Sequence, residues 1–217
     1  MRTKIKNAAT ELLIKHGYRG LRFGDIAARL GTTRANIHYH FGNKRKLVDE
    51  VLDDYVAHTL ERFQRVWTDG ETRFSDKIRG TAAFNHERYR RFNGDGEDGN
   101  PWSLIARMRL DADALSETAN ARLRIFGVKL HADISAAVEA AKRNGELRAD
   151  APVEEITLQL MSITNFSAGP VTQDAGGFER LEQLYLAFSR TVTQAYGSGA
   201  EGAGSVGPAP PVIARTV

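Results

Sequence analysis

The chain has 217 residues, 41% of them hydrophobic and 26% charged, with no cysteine and a formal net charge of +3. A chain without cysteine excludes disulfide frameworks and thiolate metal centres, which suits a reducing cytoplasm. The charged N-terminus does not read as a secretory signal, and no uncharged apolar run reaches the about 20 residues of a membrane-spanning helix.

Charge is uneven along the chain. Residues 1–50 hold eleven Lys and Arg against four acids, or +7, and the other 167 residues carry −4. A basic block joined to a mildly acidic body points to a polyanion partner for one part, with a solvated basic face as the alternative.

Helical periodicity dominates throughout. Ile5, Ala8, Ala9, Leu12 and Leu13 form one apolar stripe that ends near Gly17. Ile26, Ala27 and Leu30 make a short second helix stopped by Gly31, and a third runs from about Thr33 to Phe41. Asn43 is placed to cap a fourth, with Leu47, Val51, Leu52, Tyr55, Leu60, Phe63 and Trp67 on one side. Ile78, Ala82 and Tyr89 belong to a helix that ends before a Gly/Asp-rich loop at Gly94–Asn100, and Pro101–Leu110 reads as a short helix. A long helix starts at Ser116 and closes at the C-terminal signal Gly145. Asp150 before Pro152 predicts the start of the next, which carries Ile156, Leu160, Ile163 and Phe166 and gives way to a Gly/Pro-rich loop. The last helix carries Phe178, Leu181, Leu184, Tyr185, Phe188 and Val192. The composition after Tyr196 predicts a disordered tail over 197–217. No strand-like alternation and no internal repeat is present, so the fold class is all-α.

The segment Phe23–Phe41, FGDIAARLGTTRANIHYHF, carries the functional signal. Small Ala27 permits close approach of two helices, and Gly31 supplies the left-handed backbone of a tight helix-to-helix turn. Ile37 and Phe41 anchor the second helix from behind. Thr32, Thr33, Arg34, Asn36 and Tyr39 are left facing out, so the helix is suited to the DNA major groove. Arg pairs with guanine and Asn with adenine in bidentate geometry, while Tyr39, His40 and Lys44 are placed to meet phosphates.

These residues resemble the tetracycline-repressor (TetR) family of bacterial transcription regulators. AATELLIKHGYRG, DIAARLG, TTRANIHYHF and GNKRKLV match, in order, the family's first helix, second helix and turn, recognition helix and start of the fourth helix. The resemblance spans about the first 50 residues. It implies an all-helical homodimer with a three-helix helix-turn-helix DNA-binding domain over residues 1–46. A helical ligand-binding and dimerisation domain then covers 47–196. Arg34, Ala35 and Asn36, joined by Thr33, match the base-reading stretch. Thr32, His38, Tyr39, His40 and Lys44 match positions that hold the DNA backbone. Arg22 stands where the family usually caps the second helix with Ser or Thr, and is read as a phosphate contact in its own right.

For the body, Leu160, Ile163, Leu181, Leu184, Phe188 and Val192 are the expected dimer face, four helices from two subunits forming a bundle. Packing within one chain is the alternative. Trp102, Arg107, Met108, Phe126, His131, Met161, Asn165 and Phe166 are the candidate lining of a pocket for an unidentified small-molecule effector. No cofactor is implied. The function expected is that of a ligand-responsive cytoplasmic regulator, a repressor, on palindromic operator DNA. A sequence-independent architectural DNA binder is the alternative, and an interaction protein that has lost operator binding is a third reading. An enzyme is not expected. His86-Glu87 begins a zinc-protease-like motif, but Arg90 takes the second histidine's place. Asp95, Glu97 and Asp98 miss calcium-loop spacing.

Overall fold

The computed structural model describes residues 1–94, 99–174 and 177–199. Among them the chain is helical, with one isolated antiparallel bridge between Leu147 and Gly197. The elements are α1 (Arg2–Gly20), α2 (Phe23–Leu30), α3 (Arg34–Phe41), α4 (Lys44–Trp67), α5 (Phe74–Asn93), α6 (Leu104–Leu110), α7 (Glu117–Arg143), α8 (Val153–Met161), α9 (Ala168–Asp174) and α10 (Gly177–Tyr196). The expected acidic loop residues Asp95, Glu97 and Asp98 and the tail over 200–217 lie outside the described residues.

Helix starts follow local capping chemistry. Thr33, Asn43, Ser103 and Ser116 each accept a hydrogen bond from the backbone N–H three residues on, at 3.2, 2.9, 3.3 and 3.0 Å. Such a cap satisfies one of the four N–H groups a helix start leaves unpaired. Arg22 occupies the cap position of α2 and supplies no such bond. Asp150 does not start α8: it pairs with Arg148 at 3.0 Å, and Pro152 stands at the cap position without a side-chain bond.

Other boundaries also differ from the sequence reading: the helix expected over Pro101–Leu110 begins only at Leu104, after its Ser103 cap. The Gly/Pro-rich stretch after Phe166 is helical: a π-helical turn, Ser162–Ser167, runs directly into α9. Pro170 stands within this continuous helix and lacks the N–H of an i→i−4 bond, and the wider π turn lies just ahead of it. The chain also remains engaged past Tyr196. Arg148 N–H donates to the Tyr196 carbonyl at 2.7 Å and Ser198 N–H to the Glu146 carbonyl at 3.3 Å.

One hydrophobic cluster runs through the molecule. Near the N-terminus, Ile5, Ala9, Leu13, Ile26, Ile37 and Leu47 are wholly inaccessible to solvent, drawing α1 to α4 together. α4 continues into the body and packs along α7, while α10 lies against α5 and α9.

Candidate DNA interface and effector cavity

The turn between α2 and α3 is built as the spacing requires. Gly31 adopts φ 61°, ψ 38°, the left-handed region that favours glycine. Thr32 N–H then donates to the Ala27 carbonyl at 3.0 Å, and Thr33 caps α3. Ile37 and Phe41 are buried beneath, 0% and 3% exposed, so the opposite side of α3 faces solvent.

On that side the side chains have distinct postures. Tyr39 is 85% exposed. Arg22, Thr33, Arg34, Ala35 and His38 are exposed, and Thr32, Asn36, His40 and Lys44 half-buried. Arg34 lies across the start of α2, where a Cβ on Gly24 would stand 2.7 Å from its Nη2. The glycine clears its path. Asn36 folds back, its Nδ2 donating to Thr32 Oγ1 at 2.9 Å, so base contact requires that bond to be exchanged. His38 packs edge-on to Phe23 with ring centroids 4.7 Å apart, and its Nδ1 sits 2.8 Å from the Gly42 carbonyl. Lys44 lies 4.5 Å over the Tyr18 ring, and burial pulls its ammonium below the usual lysine range against the opposing pull of Asp111. Arg22, Arg34, His38 and Lys44 share the rim of one open concavity of about 500 Å3 with Phe23 and Asn43. Sequence reasoning did not single out Asn43 or Gly24 for this surface.

The C-terminal end of α1 packs against α6 and the turn that follows it. Gly17, at φ 73°, kinks α1 and fits where a Cβ would stand 2.5 Å from Asp111 Oδ2. The kink presents the Tyr18 N–H to that same oxygen at 2.7 Å. Arg19 adds ion pairs to Asp111, at 3.6 Å, and to Asp113. Asp49 accepts from Ser116, and Arg122 pairs with Asp53 at 2.8 Å. The C-cap of α6, Asp111, and the turn after it therefore grip the end of α1.

The first residues of α6 border a cavity in the body. Its walls are Phe63, Arg88, Trp102, Ser103, Ile105, Ala106, Phe126, Thr164, Asn165, Ala168 and Gly169, and it encloses about 20 Å3. That is room for about one water, so this conformer is closed to an effector. Of the expected lining residues, Trp102, Phe126 and Asn165 are here. The others are not. Met108 and Met161 are in the core without lining the cavity. Arg107 lies on the side of α6 that meets Gly17. His131 faces Glu154 at 3.3 Å near the surface. Phe166 is 62% exposed under the Arg109 guanidinium, 5.3 Å away. Each was chosen for residue type at a helical spacing, which does not say which side of a helix meets the cavity.

Arg88 and Phe63 were missed. The signal was a polar series on one face of α5, Thr81, Asn85 and Arg88, at spacings of four and three. Thr81 and Asn85 are buried, and Asn85 Nδ2 donates to the Tyr185 hydroxyl at 3.0 Å. Burial pushes that hydroxyl up to about 12.

The expected dimer face is corrected by burial. Leu160, Leu181, Phe188 and Val192 are 0, 0, 7 and 4% exposed within a single chain, so they belong to the subunit's own core. Ile163 and Leu184 remain partly exposed. His86 and Glu87 are held by a stack on Phe178 at 4.5 Å and an ion pair to Arg62 at 2.8 Å.

Residues 5–51 match the family described as bacterial regulatory proteins, tetR family. No curated relative matches the sequence. Similar solved structures include a TetR-family transcriptional regulator from Agrobacterium tumefaciens, with TM-score 0.75 and 17% identity over 88% of this chain and 96% of that one. A TetR transcriptional regulator from Chloroflexus aurantiacus gives 0.74 and 19% over 90% and 96%. The reduced form of NemR from E. coli gives 0.69 and 15% over 92% and 98%. At these identities the likeness shows the fold. The chain thus carries the helix-turn-helix domain of the tetR family of bacterial regulatory proteins, on the all-helical fold of that family's transcriptional regulators.

Proposed function

We propose that the protein is a ligand-responsive transcriptional regulator, a repressor, that binds palindromic operator DNA as a homodimer. The outward presentation of α3 carries this reading: Arg34 and Tyr39 stand in solvent while Ile37 and Phe41 hold the helix from behind. Arg34 and Asn36 read bases, with Thr33 and Ala35 at the groove. Arg22, Thr32, His38, Tyr39, His40 and Lys44 hold phosphates. Two such helices read two half-sites about one helical turn, or a multiple, apart. The partner surface lies on α8, the π turn that follows it and α10, where exposed Leu158 and the half-exposed Ile163 and Leu184 remain after the core has formed.

The effector acts by population shift. It favours the conformer with an opened cavity, and it moves the equilibrium only by its differential affinity for the two forms. α6 connects the two events, since Ser103, Ile105 and Ala106 border the cavity and the other end of the helix holds α1 through Asp111. Among the described residues no helix is long and apolar enough to cross a membrane, and the protein acts on DNA without membrane attachment.

A footprint on the DNA upstream of the protein's own coding region, with light scattering of the complex, tests the reading. A symmetric protected site and two subunits per site are expected. Equal affinity for that DNA and for random DNA would support an architectural binder instead.

A further inference from the structure

We infer that the effector is an aromatic anion, of the aromatic carboxylic acid class, and that Arg88 receives its charged group in the cavity between α5, α6, α7 and α9. The inference rests on the reading of the body as an effector-binding domain.

Arg88 is half-buried on the cavity wall, yet all its partners are neutral. Its guanidinium donates to Tyr55 Oη at 2.8 Å, Asn85 Oδ1 at 3.1 Å and Ser103 Oγ at 3.4 Å. These bonds use three of its five N–H groups. Among the described residues no carboxylate comes within ion-pair distance of it. Instead it lies 5.2 Å over Trp102, 5.4 Å over Phe84 and 5.7 Å over Tyr55. A cation withdrawn from water without a countercharge is costly, and a ligand that brings the charge gains the most from such a site. Arg matches a carboxylate with two parallel donors once its long 3.4 Å bond to Ser103 Oγ is exchanged, since both edges that offer such a pair include Nη2.

The rest of the wall points to what the charge is attached to. Phe63, Trp102 and Phe126 are aromatic, and Ile105, Ala106 and Ala168 are apolar. Arg109, the next cation, is likewise met by neutral acceptors, the Asn165 carbonyl at 3.0 Å and Asn165 Oδ1 at 2.6 Å. The closed cavity admits no ring, so the ligand must part the wall carrying Thr164, Asn165 and Gly169 from α6. Gly169 is packed there so that a Cβ on it would lie 3.5 Å from Ala106 Cβ.

The test uses the full chain and two probes of one shape, 1-naphthoate and 1-naphthamide. Binding is read by thermal shift and tryptophan fluorescence, and release of the footprinted DNA is read separately. Naphthoate is expected to bind about tenfold or more tighter than the amide, the size of one charge-assisted interaction. Arg88→Gln should bring the ratio to about one, and Arg88→Lys should keep a preference for the anion. A purely structural Arg88 would change melting temperature in Arg88→Gln and leave the ratio as it was. Equal binding of the two probes, binding of neither, or an unchanged ratio in Arg88→Gln would overturn the inference. Should Arg88→Gln fail to fold, the ratio in the wild-type chain and in Arg88→Lys decides. Preferential binding of naphthoate without release of DNA would uphold the anion site and count against the ligand-responsive reading.

Discussion

The head and the body handle polar groups in opposite ways. Among the described residues every buried polar side chain, from Thr59 and Lys77 to Asn165 and Thr172, lies beyond the head. The head, residues 1–46 in the proposed division, buries apolar groups and places its cations at the surface, which makes it a rigid mount for a basic helix. The body keeps hydroxyls, amides and Arg88 inside, where they are satisfied only in particular arrangements. A core of that kind is sensitive to how its helices are set against one another. The first region presents one surface, while the polar groups of the second tie its core to how the helices around them are set.

The comparison breaks most sharply at the anchor of α3. Phe41→Ala removes a buried ring from the head and should cost about 3–5 kcal/mol of stability. Binding to all DNA sequences should fall with it, because α3 loses its backing. Chemical denaturation monitored by circular dichroism, together with gel-shift titration, checks both. Full DNA binding by a destabilised Phe41→Ala would show that α3 does not depend on that mount.

In the body the corresponding probe is alkaline titration. The Tyr185 hydroxyl is pushed up to about 12, chiefly by burial, and an unfolded tyrosine titrates near 10. The raised value means that this group costs the fold nothing below pH about 10. Stability is then lost as pH rises toward 12, by about 2–3 kcal/mol in total from this group. Tyr185→Phe should be less stable at neutral pH, since Asn85 loses its acceptor, and should show a flatter alkaline limb. An equally steep limb in the variant would place the titrating group elsewhere.

How much of each region was legible follows from the range of the signal. Caps at Thr33, Asn43 and Ser116 and the turn at Gly31 are local chemistry, set within three or four residues, and the chain displays them directly. Burial of Leu160, Leu181, Phe188 and Val192 depends on which neighbours α8 and α10 find. An apolar stripe reads the same whether it meets its own chain or a partner. The lining of the cavity is set in the same way: Met108 and Arg107 are adjacent in sequence and point to different neighbours. Arg88 was legible in principle, as a polar residue at the spacing of Asn85 on one helix face. Asn36 was not, because its turn back to Thr32 is a side-chain choice that spacing leaves open.

On the DNA surface, Arg34→Ala sharpens the contrast between reading and holding. Removing a bidentate base contact should cost about 1–3 kcal/mol on the operator and relax preference at one base position. Competition binding with single-position operator variants measures this. Equal losses on operator and random DNA would reassign Arg34 to the backbone contacts.

The smallest effect is expected at Lys44, and its posture explains why. An ammonium held over the Tyr18 ring, 3.5 Å from the Arg19 carbonyl, is already partly engaged by the protein. In Lys44→Ala, affinity should fall alike on all sequences, and the slope of log K against log salt should change by less than the about 0.9 per phosphate contact. Arg22→Ala, at an exposed position free of capping duty, should change the slope by the full amount. A salt series on one operator and one random duplex separates the two. A full unit of slope lost at Lys44 would mean that the lysine leaves Tyr18 when DNA binds. The joint at Asp111, whose charge faces Lys44, would then change with DNA occupancy, and the two regions would communicate from the DNA side as well as from the cavity.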